Sequence, residues 1–91
     1  MKVRVSNMYS TNGNLVPNQF KIWTDKGFYF QSYNSTIYFE CKKTGKKYLD
    51  KYDWDYSRTT GKYRNQILRE GIAETRRKIE EKEYILKDLN K

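Results

Sequence analysis

The chain is 91 residues long, a third of them charged, with a net charge of +8, fifteen aromatic residues and no histidine. That length allows one domain with one modest core, because a chain of this size buries roughly 60 to 65% of the surface its unfolded form exposes. The missing histidine removes the commonest general base near neutral pH, so excess Lys and Arg beside Tyr and Trp indicate binding to phosphate or acidic surfaces and argue against catalysis.

The apolar runs are four residues or fewer, which excludes a membrane-spanning helix and a signal-peptide core, and the expected location is cytoplasmic. Cys41 is the single cysteine and has no histidine to activate it, so it reads as a half-buried strand residue. Residues 1–71 hold 13 Lys and Arg against 6 Asp and Glu, whereas residues 72–91 hold 6 against 5, which places the positive field in the first three-quarters of the chain.

Val3 and Val5 alternate with Lys2, Arg4 and Ser6, the period of a half-buried strand. Residues 9–18 collect Asn12, Gly13, Asn14 and Pro17 and read as a loop. Residues 19–24 and 28–33 form an aromatic hairpin around Asp25, Lys26 and Gly27, a three-residue turn that would pair Trp23 with Tyr29 and Ile22 with Phe30. A second hairpin joins residues 36–42 to 46–50, with Gly45 supplying positive φ, Phe39 opposite Leu49 and Glu40 opposite Tyr48. These registers put Phe20, Ile22, Phe28, Phe30, Ile37, Phe39 and Leu49 in the core. Lys21, Trp23, Tyr29, Gln31, Tyr33, Tyr38 and Tyr48 then share an amphipathic second face, beside a hairpin tip crowded by Lys42, Lys43, Lys46 and Lys47.

Beyond Asp50 the pattern turns helical. Residues 51–56 form an aromatic segment around Trp54, and Ser57, Thr59 and Thr60 compete to cap a helix over residues 62–70. Gly71 fits a C-cap or a bend, and residues 72–89 read as a second, charged helix. Ile72, Ile79 and Leu86 recur every seven residues on it, so the helix packs on the sheet, extends from it or meets its copy in a dimer. The expected architecture is a single α+β domain: an antiparallel sheet of four or five strands over residues 1–50, a first helix within 51–70, and a C-terminal helix within 72–91.

Three constellations could carry chemistry. Asp50, Asp53, Asp55 and Glu70 are the densest carboxylates, yet aspartates ahead of a helix serve as caps, and no metal or cofactor is expected. SRTTGK, residues 57–62, superficially resembles a phosphate loop but lacks its upstream glycine and its following Ser or Thr; what remains is a helix start flanked by Arg58, Lys62 and Arg64 that suits either an anion or plain capping. The third is the face carrying Lys21, Trp23, Tyr29, Tyr33, Tyr38 and Tyr48, which either stacks bases in a positive groove or packs beneath the helices.

VPNQF (residues 16–20), YFQSYNS (29–35), YLD (48–50) and WDYSRTTGKYRNQIL (54–68) together resemble a family of small uncharacterised proteins from phages and mobile elements of low-GC bacteria. The resemblance covers roughly residues 3–70, and the chain continues beyond its typical end near Leu68. By analogy it implies a non-enzymatic inhibitor of host defence, such as an anti-CRISPR protein, that docks on a host protein or nucleoprotein, possible partners including a CRISPR effector. The alternative is a small basic accessory protein that binds DNA or RNA directly.

Overall fold

A computed structural model describes residues 2–91 and shows an α+β fold whose single sheet has six strands, more than the four or five expected. β1 (Arg4–Tyr9), β2 (Leu15–Trp23), β3 (Gly27–Ser32), β4 (Ser35–Cys41) and β5 (Lys47–Asp50) form an antiparallel meander. Then α1 (Arg58–Leu68) and α2 (Ile72–Glu80) carry the chain back across the sheet, so that β6 (Tyr84–Lys87) lies parallel to β5. The sheet is therefore mixed. A parallel neighbour requires a long crossover, and the two helices supply it.

Both tight hairpins close one residue differently from the expected register. Thr24 and Gly27 exchange hydrogen bonds of 2.9 and 3.3 Å around a two-residue loop, which sets Trp23 opposite Phe28 and Ile22 opposite Tyr29. Gly27 is thus a strand residue. A Cβ there would overlap the Glu40 carbonyl oxygen, and the backbone holds a φ of +151°. In the second hairpin the Cys41 amide bonds the Lys46 carbonyl at 2.9 Å across a four-residue loop ending at Gly45, so Phe39 faces Tyr48 and Tyr38 faces Leu49.

A slip of one residue exchanges the two faces of a strand. Phe28, Phe30, Ile37 and Leu49 line the core as expected, joined by Met8, Tyr38, Tyr63 and Tyr84. Phe20, Ile22 and Phe39 lie on the opposite face, while Lys21 and Trp23 turn to the helix side. A bulge explains why neighbours Ile37 and Tyr38 are both buried: Phe30 pairs with Tyr38 and Gln31 with Thr36, leaving Ile37 as the extra residue. A wider irregularity opens β2, where the pairing jumps from Asn7–Phe20 to Met8–Val16. Pro17 and Asn18, expected in a loop, occupy this irregularity within the strand; Asn18 adopts φ +66° and its carbonyl accepts the Tyr33 amide at 2.7 Å. Pro needs no ladder hydrogen bond there.

Ser57 caps α1, its hydroxyl accepting the Thr60 amide at 3.1 Å, and the buried Thr60 and Ser32 hydroxyls lie 2.9 Å apart, anchoring the helix start to the sheet. Arg69, in the left-handed region, ends α1, and Gly71 caps the start of α2 and not the end of α1. The second helix does not reach Leu89. It stops at Glu80, Lys82 turns the chain at φ +65°, and Tyr84 enters the core with 3% exposure. Ile79 packs on the core while Leu86 lies on a strand, so the seven-residue repeat marks no helical seam.

One polar network ties this crossover to the core. Glu70 accepts hydrogen bonds from Lys78 Nζ (2.7 Å), Thr75 Oγ1 (2.6 Å) and Tyr84 OH (3.1 Å). Burial alone would raise the Glu70 carboxyl, but the bonds from Lys78, Thr75 and Tyr84 outweigh it and hold the group below its ordinary value. A lowered folded-state carboxyl stabilises the fold above the unfolded value of 4.5 and loses that contribution as pH falls through the folded value. Glu70→Gln is therefore expected to lower the unfolding free energy at pH 7 by about 2 kcal/mol, because Lys78 can partly resolvate. Urea melts of both proteins between pH 7 and 3 check this: the gap between them should narrow as the medium becomes acidic.

Candidate nucleic-acid interface

Trp23 borders two adjoining cationic concavities. Strand pairing places it between Arg4 on β1 and Phe28 on β3. The Arg4 guanidinium carbon lies 4.4 Å from the Trp23 ring centre, the Lys21 ammonium 5.8 Å, and the Phe28 ring 5.4 Å away at a 51° tilt. Lys2, Arg4 and Lys42 line the cleft on one side of Trp23, with Asp25. On the other side Lys21 and Arg69 line a groove floored by Met8 and Phe28 and walled by Gln66 and Ile67 of α1. Two hydrogen bonds hold these walls: the Lys42 amide donates to the Lys26 carbonyl at 3.0 Å, and Gln66 Nε2 donates to the Tyr9 carbonyl at 2.7 Å. Among the described residues, Lys2, Arg4, Lys21, Lys42 and Arg69 make no ion pair, so their field is free to act on a ligand.

Only part of the expected binding face is gathered here. Lys21, Trp23 and Lys42 belong to the cleft. Lys43 is exposed in the hairpin loop, while Lys46 and Lys47 line a separate groove with Lys78, Glu83 and Tyr84. Tyr38 is not on a binding face: it is 3% exposed and its hydroxyl donates to Glu40 at 2.8 Å. Burial foremost, then the Glu40 carboxylate, pushes its phenol well above the ordinary value.

Tyr29 and Tyr48 sit on the opposite face, in a row running Val5, Ile22, Tyr29, Phe39, Tyr48 and Ile85 across all six strands. None of these six belongs to the core that the helices cover. The rings stack on one another, Tyr29 on Phe39 at 4.6 Å and Phe39 on Tyr48 at 5.9 Å, while the Lys87 ammonium lies 5.6 Å over Tyr48. The faces of these rings are occupied by neighbours, which suits an apolar ribbon better than a platform for bases.

The helix start is partly taken up by its own cap. Ser57 already occupies the Thr60 amide. Arg58 and Lys62 stay exposed and line a separate concavity with Asp55; at the rise of an α-helix Arg58 stands about 16 Å along α1 from Arg69, and Lys62 about 6 Å from Gln66 on the groove wall. Arg64, expected to attract a ligand, is 1% exposed and serves the fold. It donates to the Trp54 carbonyl (2.8 Å), Asp55 (3.0 Å) and Asn65 (3.0 Å), and its guanidinium lies 5.2 Å from the Trp54 ring.

The aspartates are likewise committed to structure. Asp50 is buried and accepts the amides of Tyr52, Asp53 and Leu89 at 3.1, 2.7 and 2.8 Å, while Asp55 pairs with Arg64 and, at 3.8 Å, with Arg76. Among the described residues no three His, Cys, Asp or Glu side chains group as metal ligands, and no helix is long and apolar enough to cross a membrane.

Lys2, Arg4 and Arg69 escape sequence reasoning because each reaches Trp23 or its groove only through tertiary structure. Arg4 needs the β1–β2 register, and Arg69 needs the packing of α1 on the sheet. No curated protein and no solved structure matches the chain. A family match does extend over residues 3–85, past Leu68 and into β6, so the crossover helices belong to the shared pattern and are not an addition to it. By that match the chain belongs to a family of unknown function (DUF8033).

Proposed function

We propose that this protein is a non-enzymatic nucleic-acid-binding module, acting on free DNA or RNA or on the nucleic acid of a nucleoprotein through the cleft around Trp23. The observation that carries this reading is the set of five cations, Lys2, Arg4, Lys21, Lys42 and Arg69, that flank one indole without ion-pair partners among the described residues. Phosphates would supply the missing counter-charge, with affinity dominated by counterion release. The remaining lysines of the hairpin tip, Lys43, Lys46 and Lys47, add long-range attraction.

The test is fluorescence anisotropy with a labelled oligonucleotide across a salt series. Changing Lys21, Lys42 and Arg69 together to Gln should weaken binding and flatten the slope of log K against log salt by roughly 0.7 to 0.9 for each phosphate that is no longer neutralised. Arg58→Gln, at the far end of α1, should leave that slope nearly intact. An unchanged slope in the triple variant would remove the cleft from the site.

A second reading is favoured by the open face. Val5 is 57% exposed at one end of the apolar row, and a surface of that kind suits a protein partner. On this reading the protein is a phage-type inhibitor, such as an anti-CRISPR protein, that docks on a host defence nucleoprotein in the bacterial cytoplasm. Its signature would be salt-insensitive capture of one partner that survives nuclease treatment and is abolished in Phe39→Lys.

A further inference from the structure

The Arg4 guanidinium covers the Trp23 ring at 4.4 Å, and both residues border the cationic cleft. Arg4 is an exposed residue near the start of β1 and makes no ion pair among the described residues. A cation over an exposed ring is worth only about two- to fivefold in an equilibrium constant. A nucleobase on an aromatic ring is worth about five- to 150-fold. Exchange of the guanidinium for a base is therefore favourable, and the displaced cation remains beside the phosphate of the base that displaced it.

We infer that Trp23 is a base-stacking site for single-stranded nucleic acid, with Arg4 as its displaceable cover. This rests on the reading of the cleft as a nucleic-acid site and narrows it. A base within a duplex has both faces stacked on its neighbours, so only an unpaired strand offers one to Trp23. The shape agrees. The groove is a concavity between the sheet and the C-terminal end of α1, with Gln66, Ile67 and the cap residue Arg69 on its wall. Trp23 also differs from the open-face aromatics: its neighbours are the Arg4 and Lys21 cations and a tilted Phe28 ring, whereas Phe39 is stacked between two other rings.

The experiment compares three probes of equal length with the full chain: a thymine or uracil hexamer, in DNA and RNA series, an abasic strand with the same number of phosphates, and a blunt duplex. The expected result is at least about fivefold tighter binding of the base-bearing strand than of the abasic one, in either sugar series, with the duplex weaker. Trp23→Ala should erase that difference and leave abasic binding in place. A second readout keeps Trp23 in place. In a Trp54→Phe background Trp23 is the remaining indole, and its emission should be quenched by the hexamer but not by the abasic strand. Equal affinity for the base-bearing and abasic strands, unquenched Trp23, or tighter binding of the duplex would each overturn the stacking site while leaving a phosphate-binding cleft. Failure of every probe to bind would overturn the nucleic-acid reading itself.

Discussion

A chain ending at Glu81 is expected to lose cooperative folding. Truncation there removes β6, and with it Tyr84, which is 3% exposed and packs edge-on against Tyr38 at 6.2 Å. Removal of a buried aromatic of this size costs about 3 to 5 kcal/mol. The same cut strips the β5 edge of its partner, removes the Lys87 carbonyl that accepts the Lys51 amide at 2.9 Å, and takes the Leu89 amide from the buried Asp50 carboxylate. It also removes Asn90, whose side chain bonds the Thr36 amide and carbonyl at 2.6 and 3.0 Å. The total stability of a domain of this length is about 5 to 14 kcal/mol, so these costs together match or exceed the lower part of that range. Circular dichroism during urea titration provides the check: the full chain should show a sigmoidal transition and the truncated one a gradual drift. An unchanged midpoint in the truncated protein would show that β6 is an appendage.

The second large effect belongs to Arg64, and it separates folding from binding. Arg64→Ala is expected to lower the unfolding free energy by about 3 to 5 kcal/mol, since it empties a buried site and leaves the Trp54 carbonyl without its donor. Asp55, 37% exposed and also near Arg76, recovers part of its solvation and sets the lower end of that range. Arg64→Lys should restore little, because one ammonium cannot reach the Trp54, Asp55 and Asn65 oxygens as the planar guanidinium does. Oligonucleotide affinity measured where the variants remain folded should match that of the parent chain. A drop in affinity with stability intact would return Arg64 to the binding site.

Much of the fold was legible in the chain itself. Strand periodicity located β1 and the two hairpins, Ser57 was one of three candidate caps for a helix that starts four residues earlier than expected, and the cationic excess with Trp23, Lys21 and Lys42 identified part of the cleft. These features are local: side-chain alternation, a hydroxyl before a helix and net charge act within a few residues or without regard to fold. Register was not local. Each hairpin could close with either loop length, and what selects between them is the close approach of Gly27 to the β4 backbone and the burial of Tyr38 between Phe28 and Tyr84. The one-residue difference decided which aromatics meet the helices and which stack on the open face.

The C-terminal segment shows the same limit more sharply. Residues 72–89 have the Glu and Lys content of a continuous helix, and helix propensity favours that state by only about tenths of a kcal/mol per residue. Burial of Tyr84 and pairing along β5 outweigh it, so the helix ends at Glu80 and a strand follows. Sequence by itself therefore determined the positive charge, the hairpins and the first helix. Tertiary structure alone decided the parallel sixth strand, the burial of Tyr38 and Arg64, and the meeting of Arg4 and Arg69 at Trp23, because each depends on interactions between segments that are distant in the chain.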